Sequence, residues 1–236
     1  MTPYIVANPG FVSLPDNLRN VVLQGGFFSW KYFDHHREEI IALFAPSQQI
    51  LDQLQKKYPL LIASDKTVSI HVRTFSKKIH EDGCHFVGLD FFEEAMNQFP
   101  SDFIFVVFSD RIKWAQAKFK ERFPEKNLVF IDGDYIDDLY LMSMMKHHIL
   151  SRSTFSWWGA YLNRNPEKKV YVPIIKEEGL KALFKPIGKR ILTFFGMIFW
   201  WDENYWLPEW QKIYYRVQPY PEDIYEFGGE TTSVYP

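Results

Sequence analysis

The sequence predicts an α/β fold built on a doubly wound parallel sheet, and three features carry that expectation. From Lys66 to Val172 short apolar runs alternate with helical patterns of about 10 to 14 residues, which reads as five strands joined by helices. Right-handed crossovers are almost the only way to pair such strands in parallel. Phe103–Phe108 is a continuous apolar run, as expected of a strand covered on both faces. Finally, at 236 residues and 28.1 kDa the chain can bury nearly three quarters of a roughly 41,000 Å² extended surface, enough for one sizeable domain or two small lobes without metals or disulfides.

The elements follow in order. Residues 1–30 carry Pro3, Pro9, Gly10, Pro15, Gly25 and Gly26 around Val21-Val22-Leu23, which reads as one strand bounded by loops. From Lys31 to Tyr58 the apolar spacing is helical: Ile40, Ile41, Leu43 and Phe44, then Ile50, Leu51 and Leu54. Two helices broken at Ala45-Pro46 fit, because the residue before a proline avoids the helical region. Val68–Val72 reads as a strand. Asp90–Phe99 reads as a helix whose Phe91, Phe92, Ala95, Met96 and Phe99 share a face. After the strand at 103–108 come a helix from Asp110 to about Phe123, a strand at 128–131, a helix at 136–145, a short strand at 148–150, a helix at 153–163 and a strand at 169–172. Beyond Pro173 the alternation stops. Trp200, Trp201, Trp206 and Trp210 point to an aromatic tail packed back over the sheet, and the end from Pro221 onward is expected to fray.

Composition excludes several classes. With 27 Lys+Arg against 29 Asp+Glu and a pI near 6.4, no basic field for nucleic acid is expected. A single cysteine, Cys84, gives no intramolecular disulfide and a reducing compartment as the default. The opening Met-Thr-Pro-Tyr-Ile-Val has no basic region followed by an apolar core, so a cytoplasmic location is expected. Ile191–Trp201 is apolar over eleven residues, whereas a helical span needs about 20. A buried strand is the first reading of that run. An aromatic lip at a lipid interface, flanked by Lys185, Lys189 and Arg190, is the second, and would make the protein peripheral at the membrane. Aromatic residues make up 18% of the chain, so rings either fill the core or line a binding surface.

In an open α/β sheet ligands bind outside the carboxyl ends of the strands. Four loops stand there: His71-Val72-Arg73 and the polar stretch after it, Ser109-Asp110, Asp132-Gly133-Asp134, and Ser151–Ser156. Ser153 and Thr154 sit where a strand ends and a helix begins. One hydroxyl can cap the helix while the N–H groups of the next residues, Phe155 and Ser156 among them, point into a cleft suited to phosphate. A plain N-cap is the alternative. Arg73 opposite that helix end makes a bidentate clamp for a diphosphate, or else a surface ion pair. No glycine-rich dinucleotide loop and no phosphate-binding lysine loop occurs. His80, His85, His147 and His148 lack zinc-motif spacing, so no metal is expected. Glu93-Glu94 and Asp137-Asp138 read as solvated first-turn acids.

The block Ser153-Thr-Phe-Ser-Trp-Trp-Gly-Ala-Tyr-Leu-Asn163 matches, at ten of eleven positions, the Ser-Thr-Phe-Ser-Trp-Trp-Gly-Ala-Trp-Leu-Asn of the α-1,2-fucosyltransferases, glycosyltransferase family 11, with Tyr161 replacing a tryptophan. Leu23–Phe33, Phe108–Trp114 and Pro208–Ile213 resemble the family's Ser-x-Lys-Tyr-Phe, Phe-Ser-Asp-Asp-x-x-Trp and Pro-x-x-Trp-x-x-Ile segments. The resemblance implies a GT-B architecture: a Rossmann-like doubly wound donor lobe with a second, N-terminal lobe. It also implies inverting, metal-independent transfer of fucose from GDP-fucose to a glycan hydroxyl, with no cofactor beyond that donor. On this reading His71 and Arg73 match the His-x-Arg that contacts the diphosphate and form the catalytic pair. Ser153, Thr154, Phe155 and Ser156 wrap the β-phosphate, and Asp132, Asp134 and Asp110 are further donor-site carboxylates, the first two for guanine. The family's His-x-Arg-Arg-Gly-Asp reads His71-Val-Arg-Thr-Phe-Ser76 here, losing the second arginine, the glycine and the aspartate. The family's opening Gly-x-Gly-Asn-Gln is not found, so the N-terminal lobe is expected to be reduced. The implied organisation is residues 1–64 as a remnant of the acceptor lobe with connecting helices, 65–175 as the nucleotide-sugar domain and 176–236 as the aromatic tail. A catalytically silent relative that binds a GDP-sugar or glycan is the alternative.

Overall fold

A computed structural model describes residues 3–6, 11–15, 17, 19–25, 27–81, 85–176 and 205–227. The chain forms two compact units, Met1–Leu43 with Ala182–Trp210, and Phe44–Lys181 with Gln211–Pro236.

In the first unit β1 (Pro3–Val6) pairs in parallel with β2 (Val22–Gly25). Two short 3-10 turns then lead into α1 (Arg37–Leu43). The fully buried Ser29 caps the first turn through Lys31 N–H at 3.4 Å. Tyr32 gathers the loop before it: its hydroxyl accepts from Val12 N–H at 2.9 Å, and Phe11 and Phe27 pack on its ring at 4.9 and 5.2 Å. Arg37 donates to Asp34 at 2.7 Å and to Glu209 at 3.1 Å, tying α1 to the stretch that carries the buried Trp206 and Trp210. Trp200, Trp201, Cys84 and the run Ile191–Trp201 lie outside the described residues. Among the described residues no helix is long and apolar enough to cross a membrane.

The second unit opens with α2 (Gln48–Lys57) and α3 (Pro59–Ala63). Its α/β part runs β3 (Thr67–Val72), α4 (Lys77–Glu81), α5 (Leu89–Met96), β4 (Ile104–Ser109), α6 (Ile112–Arg122), β5 (Asn127–Phe130), α7 (Tyr135–Met144), β6 (His147–Ile149), α8 (Thr154–Leu162) and β7 (Val170–Ile175), closed by β8 (Gln211–Tyr215). The sheet order is β5-β4-β3-β6-β7-β8, and every neighbouring pair is parallel. This is the doubly wound order in which the chain runs from β3 outward to β5, then jumps back to β6 and runs outward the other way. Every residue of β3 and β7 is buried, as helices on both faces require. One core cluster joins Val106 and Phe108 of β4 to Leu141, Met142 and Met145 and to Leu54 of α2. The sequence-derived elements from 68 to 172 therefore stand at their places, as does the break between α1 and α2.

Several features differ from the sequence reading. Residues 1–30 hold two strands rather than one, and Glu222–Tyr225 forms a 3-10 turn with Ile224 buried instead of fraying. Residues 211–215 are the sixth strand of the sheet rather than irregular tail, with Ile213 and Tyr215 buried and Lys176 N–H donating to Tyr215 C=O at 2.9 Å. Its five residues alternate in burial instead of forming an apolar run, which concealed the strand. Asp137 and Asp138 are buried rather than solvated, Asp137 accepting from Gln53 Nε2 at 2.7 Å. The polar stretch after Arg73 holds the short helix α4, started by Ser76 Oγ accepting from Ile79 N–H at 3.3 Å.

Candidate active site

The chain reverses its winding between β3 and β6, and in sheets of this kind the ligand crevice lies at the carboxyl ends of the two strands that leave the reversal in opposite directions. The loops after β3 and β6 flank it. They are joined by His71 Nδ1 and Ser151 Oγ at 2.9 Å, with the Phe155 ring 5.4 Å from the imidazole. His71 is 2% exposed, and burial, with Arg73 nearby, pushes its imidazole down to about 3. It is therefore neutral at physiological pH. The sequence reading set His71 against the diphosphate beside Arg73; the structure places it under the loops, where it ties them together.

Ser153 precedes α8 in extended backbone, φ −144° and ψ 130°, but its side chain does not cap the helix. Ser156 is wholly buried, and its hydroxyl turns back to the carbonyls of Ser151 at 3.4 Å and Ser153 at 3.2 Å. The loop is thus braced by its own hydroxyl, and Ser153 gives the start of α8 no side-chain cap. Thr154 is exposed and Phe155 half-buried. At the far end of α8, Asn163 Nδ2 donates to Met145 C=O and to His148 Nε2, the latter at 2.8 Å. His148 must then carry its proton on Nδ1, which donates to Ser69 Oγ at 2.7 Å. Burial holds this imidazole well below its usual range. The motif's last residue is therefore a structural lock on β6.

Across the crevice Asp110, at the end of β4, organises the Arg73 loop. Its Oδ1 accepts from Thr74 N–H at 2.9 Å, its Oδ2 from Thr74 Oγ1 at 3.0 Å, and Arg73 Nη1 lies 3.5 Å from Oδ2. Asp110 is a positioning group more than a free donor-site carboxylate. Phe75 sits at φ 58°, the left-handed region, with the Arg73 guanidinium 5.4 Å from its ring centre. Its carbonyl accepts from Tyr220 Oη at 2.9 Å. Lys77 pairs with Glu222 at 2.8 Å, so the segment after β8 holds this loop from outside. Of the two guanine candidates, Asp134 caps α7, accepting from Ile136 and Asp137 N–H at 2.8 and 3.1 Å, and Asp132 is exposed. Sequence reasoning missed Ser151 as the partner of His71, Asp110 as the loop's anchor, and Tyr220. A hydroxyl one register step from a strand-end histidine was readable; a tyrosine 145 residues from its acceptor was not.

Residues 16–186 match the model of glycosyl transferase family 11. The chain belongs to that family. It is 29% identical over 179 residues to the O-antigen biosynthesis glycosyltransferase WbnK of Escherichia coli, covering 66% of this chain and 58% of that protein. It is 33% identical over 144 residues to an Escherichia coli α-1,2-colitosyltransferase, covering 56% and 48%. It is 24% identical over 214 residues to the galactoside α-(1,2)-fucosyltransferase 2 of Pongo pygmaeus, covering 84% and 57%. The chain thus spans about half the length of these relatives. A solved structure of an Arabidopsis thaliana FUT1 mutant with GDP aligns with TM-score 0.41 at 14% identity, over 64% of this chain and 43% of the other. Against the family 11 pattern His-x-Arg-Arg-Gly-Asp, the glycine falls at Phe75, the residue that keeps a glycine's left-handed backbone.

Proposed function

We propose that the second unit binds the donor of a glycosyltransferase that moves fucose from GDP-fucose to a glycan hydroxyl, with inversion and without a metal ion. The observation that carries this reading is the placing of Arg73 and the uncapped start of α8 on the two loops that flank the sheet's point of reversal. Family membership and relatives named for α-1,2 transfer of fucose or colitose support it.

In such a transfer the acceptor hydroxyl attacks the anomeric carbon from the face opposite the nucleotide and gives up its proton to water. The bond from that carbon to the β-phosphate oxygen breaks, and GDP leaves with the electron pair. Charge grows on the departing phosphate, so donors already aimed there lower the barrier without reorganising. The first-turn N–H groups of α8 supply fixed dipoles and Arg73 a full charge. His71, neutral and bonded to Ser151, keeps the two loops level. Asp110 holds Arg73 and the turn behind it. The exposed Asp132 is the carboxylate open to the N1–H and amino group of guanine.

A second reading has one observation in its favour: Thr74-Phe75-Ser76 replaces the arginine, glycine and aspartate of the family loop, removing a candidate acid/base. Incubation with labelled GDP-fucose and a galactoside acceptor separates the two. Fucose transferred to acceptor, or released to water, is the expected result. GDP-fucose bound and recovered intact would contradict the transferase and leave a binding protein. GDP-colitose, run in parallel, tests the donor sugar.

A further inference from the structure

Arg73 carries the full charge that the donor-binding reading brings to the diphosphate, and the aim of its guanidinium depends on the turn behind it. We propose that Tyr220 is a positioning residue for that charge: its hydroxyl, donating to the Phe75 carbonyl, sets the turn that points Arg73 at the phosphates. This rests on the donor-binding reading above.

The path of the chain is the first argument. β8 lies at the edge of the sheet, three strands from β3, yet the residues after it return to the loop that follows β3. Gly88 admits this return, since a Cβ there would lie 2.6 Å from Gln218 Cγ. Pro219 and Pro221 stand on either side of Tyr220. The first fixes its own φ and the second keeps Tyr220 out of the helical region, so the segment is stiff where the ring leaves it. The next residues clasp two further elements. Glu222 pairs with Lys77 of α4 at 2.8 Å, and Asp223 pairs with Lys118 of α6 and accepts from Trp114 Nε1 at 3.2 Å. Ile224 is buried, and the Arg111 guanidinium lies 4.9 Å from the Tyr225 ring centre. A segment held at these points is a fixed reference against which a long side chain can be set.

What the hydroxyl holds is the second argument. Tyr220 is buried, and its Oη donates to the Phe75 carbonyl at 2.9 Å. Burial raises its phenol above the ordinary range, so the proton it donates stays in place. Phe75 occupies the left-handed region at φ 58°, which an L-residue leaves unless its surroundings hold it. Its ring centre lies 5.4 Å from the Arg73 guanidinium. Asp110, 3.5 Å from Arg73 Nη1, grips Thr74 between the two. Arg73 is therefore set from both sides, by Asp110 from the end of β4 and by Tyr220 from the outer clasp. Without the hydroxyl Asp110 still holds Thr74, but Phe75 is released and its ring no longer fixes the guanidinium. An arginine that must be ordered as the ligand arrives binds it more weakly. That loss falls on the phosphates and not on the base.

The test measures GDP by calorimetry and guanosine by competition against GDP, on the wild type and on Tyr220→Phe, which keeps the ring. GDP affinity is expected to fall by about threefold or more, the worth of one hydrogen bond. Guanosine affinity should change less than about twofold, because it carries no phosphate for Arg73 to meet. In an Arg73→Lys background, which keeps the charge but loses the planar fork, Tyr220→Phe should weaken GDP binding by a smaller factor than in the wild type. Unchanged GDP affinity in Tyr220→Phe overturns the proposal. An equal loss for guanosine, or an equal loss in the Arg73→Lys background, does so too, since either marks a residue that does not act through Arg73. A Tyr220→Phe that no longer melts cooperatively also overturns it, because the hydroxyl would then serve the fold as a whole. A wild type that binds no GDP would instead sink the donor-site reading itself, a result distinct from a wild type that binds GDP whatever stands at 220.

Discussion

Phe75 holds a left-handed backbone at a residue that is not glycine. A left-handed conformation costs an L-residue about 1–2 kcal/mol, and only the surroundings can hold it there. The Tyr220 hydroxyl on its carbonyl and the double grip of Asp110 on Thr74 do so from either side. At ordinary positions alanine is the more stable of the two small residues; here the order should reverse. Phe75→Gly is expected to be more stable to urea than Phe75→Ala by about 1 kcal/mol, both having lost the ring. Alanine above glycine would mean that the loop relaxes out of this conformation. The buried histidines make a second expectation. His71 and His85 sit at about 3 and about 4, and His148 also lies well below its usual range, against about 6.5 in the unfolded chain. The unfolded state therefore binds more protons below pH about 6.5, and stability falls as pH drops, by up to about 1.4 kcal/mol per pH unit for each histidine. Between pH 7 and 5 most carboxylates stay ionised, so the decline in urea midpoint there reports these imidazoles. A flat midpoint across that window would show that they are not buried neutral.

At the scale of elements, the motif block on α8 divides into a start that faces the crevice and a body that packs. Trp157 stacks on Tyr161 at 4.7 Å, and Trp158 on Phe44 at 5.3 Å. Gly159 lets α8 approach α7: a Cβ there would lie 2.6 Å from Met142 Sδ and 3.0 Å from its Cγ. In a free helix glycine to alanine gains about 1 kcal/mol. Gly159→Ala should instead destabilise by about 1–3 kcal/mol, because Met142 is itself fully buried and has little room to yield. A chemical-denaturation midpoint equal to or above wild type would show that the two helices are not in close contact. Alternating patterns made most elements readable: Phe91, Phe92, Ala95 and Met96 share one face of α5 as their spacing requires, and all are buried. β8 was not readable because an edge strand with exposed Gln211, Lys212 and Tyr214 carries too little apolar signal. Asp137 and Asp138 misled because first-turn acids usually face water, whereas here Gln53 of a distant helix meets one of them.

For the molecule as a whole, strand order turns scattered motifs into a site. His71 and Ser151 lie 80 residues apart in sequence and touch because β3 and β6 are neighbours at the reversal of winding. The sequence already marked which loops stand at carboxyl ends, since that follows from element order alone. It could not divide their residues into ligand groups and supports: Ser156 and Asp134 spend their side chains on the protein's own backbone, and Asp110 spends its carboxylate on Thr74 and Arg73. The aromatic surplus also divides. Phe91, Phe92, Phe105 and Phe108 are core, whereas Phe155 stands over His71 at the crevice. The central claim is that GDP is held at this reversal point by Arg73, and calorimetry of GDP and UDP on wild type and Arg73→Ala tests it most directly. The account predicts that wild type binds GDP more tightly than UDP. It also predicts that Arg73→Ala gives no measurable GDP heat while melting within about 2–4 °C of wild type, as loss of one partly exposed ion pair allows. Equal affinity for the two nucleotides, or undiminished GDP binding by Arg73→Ala, would contradict it.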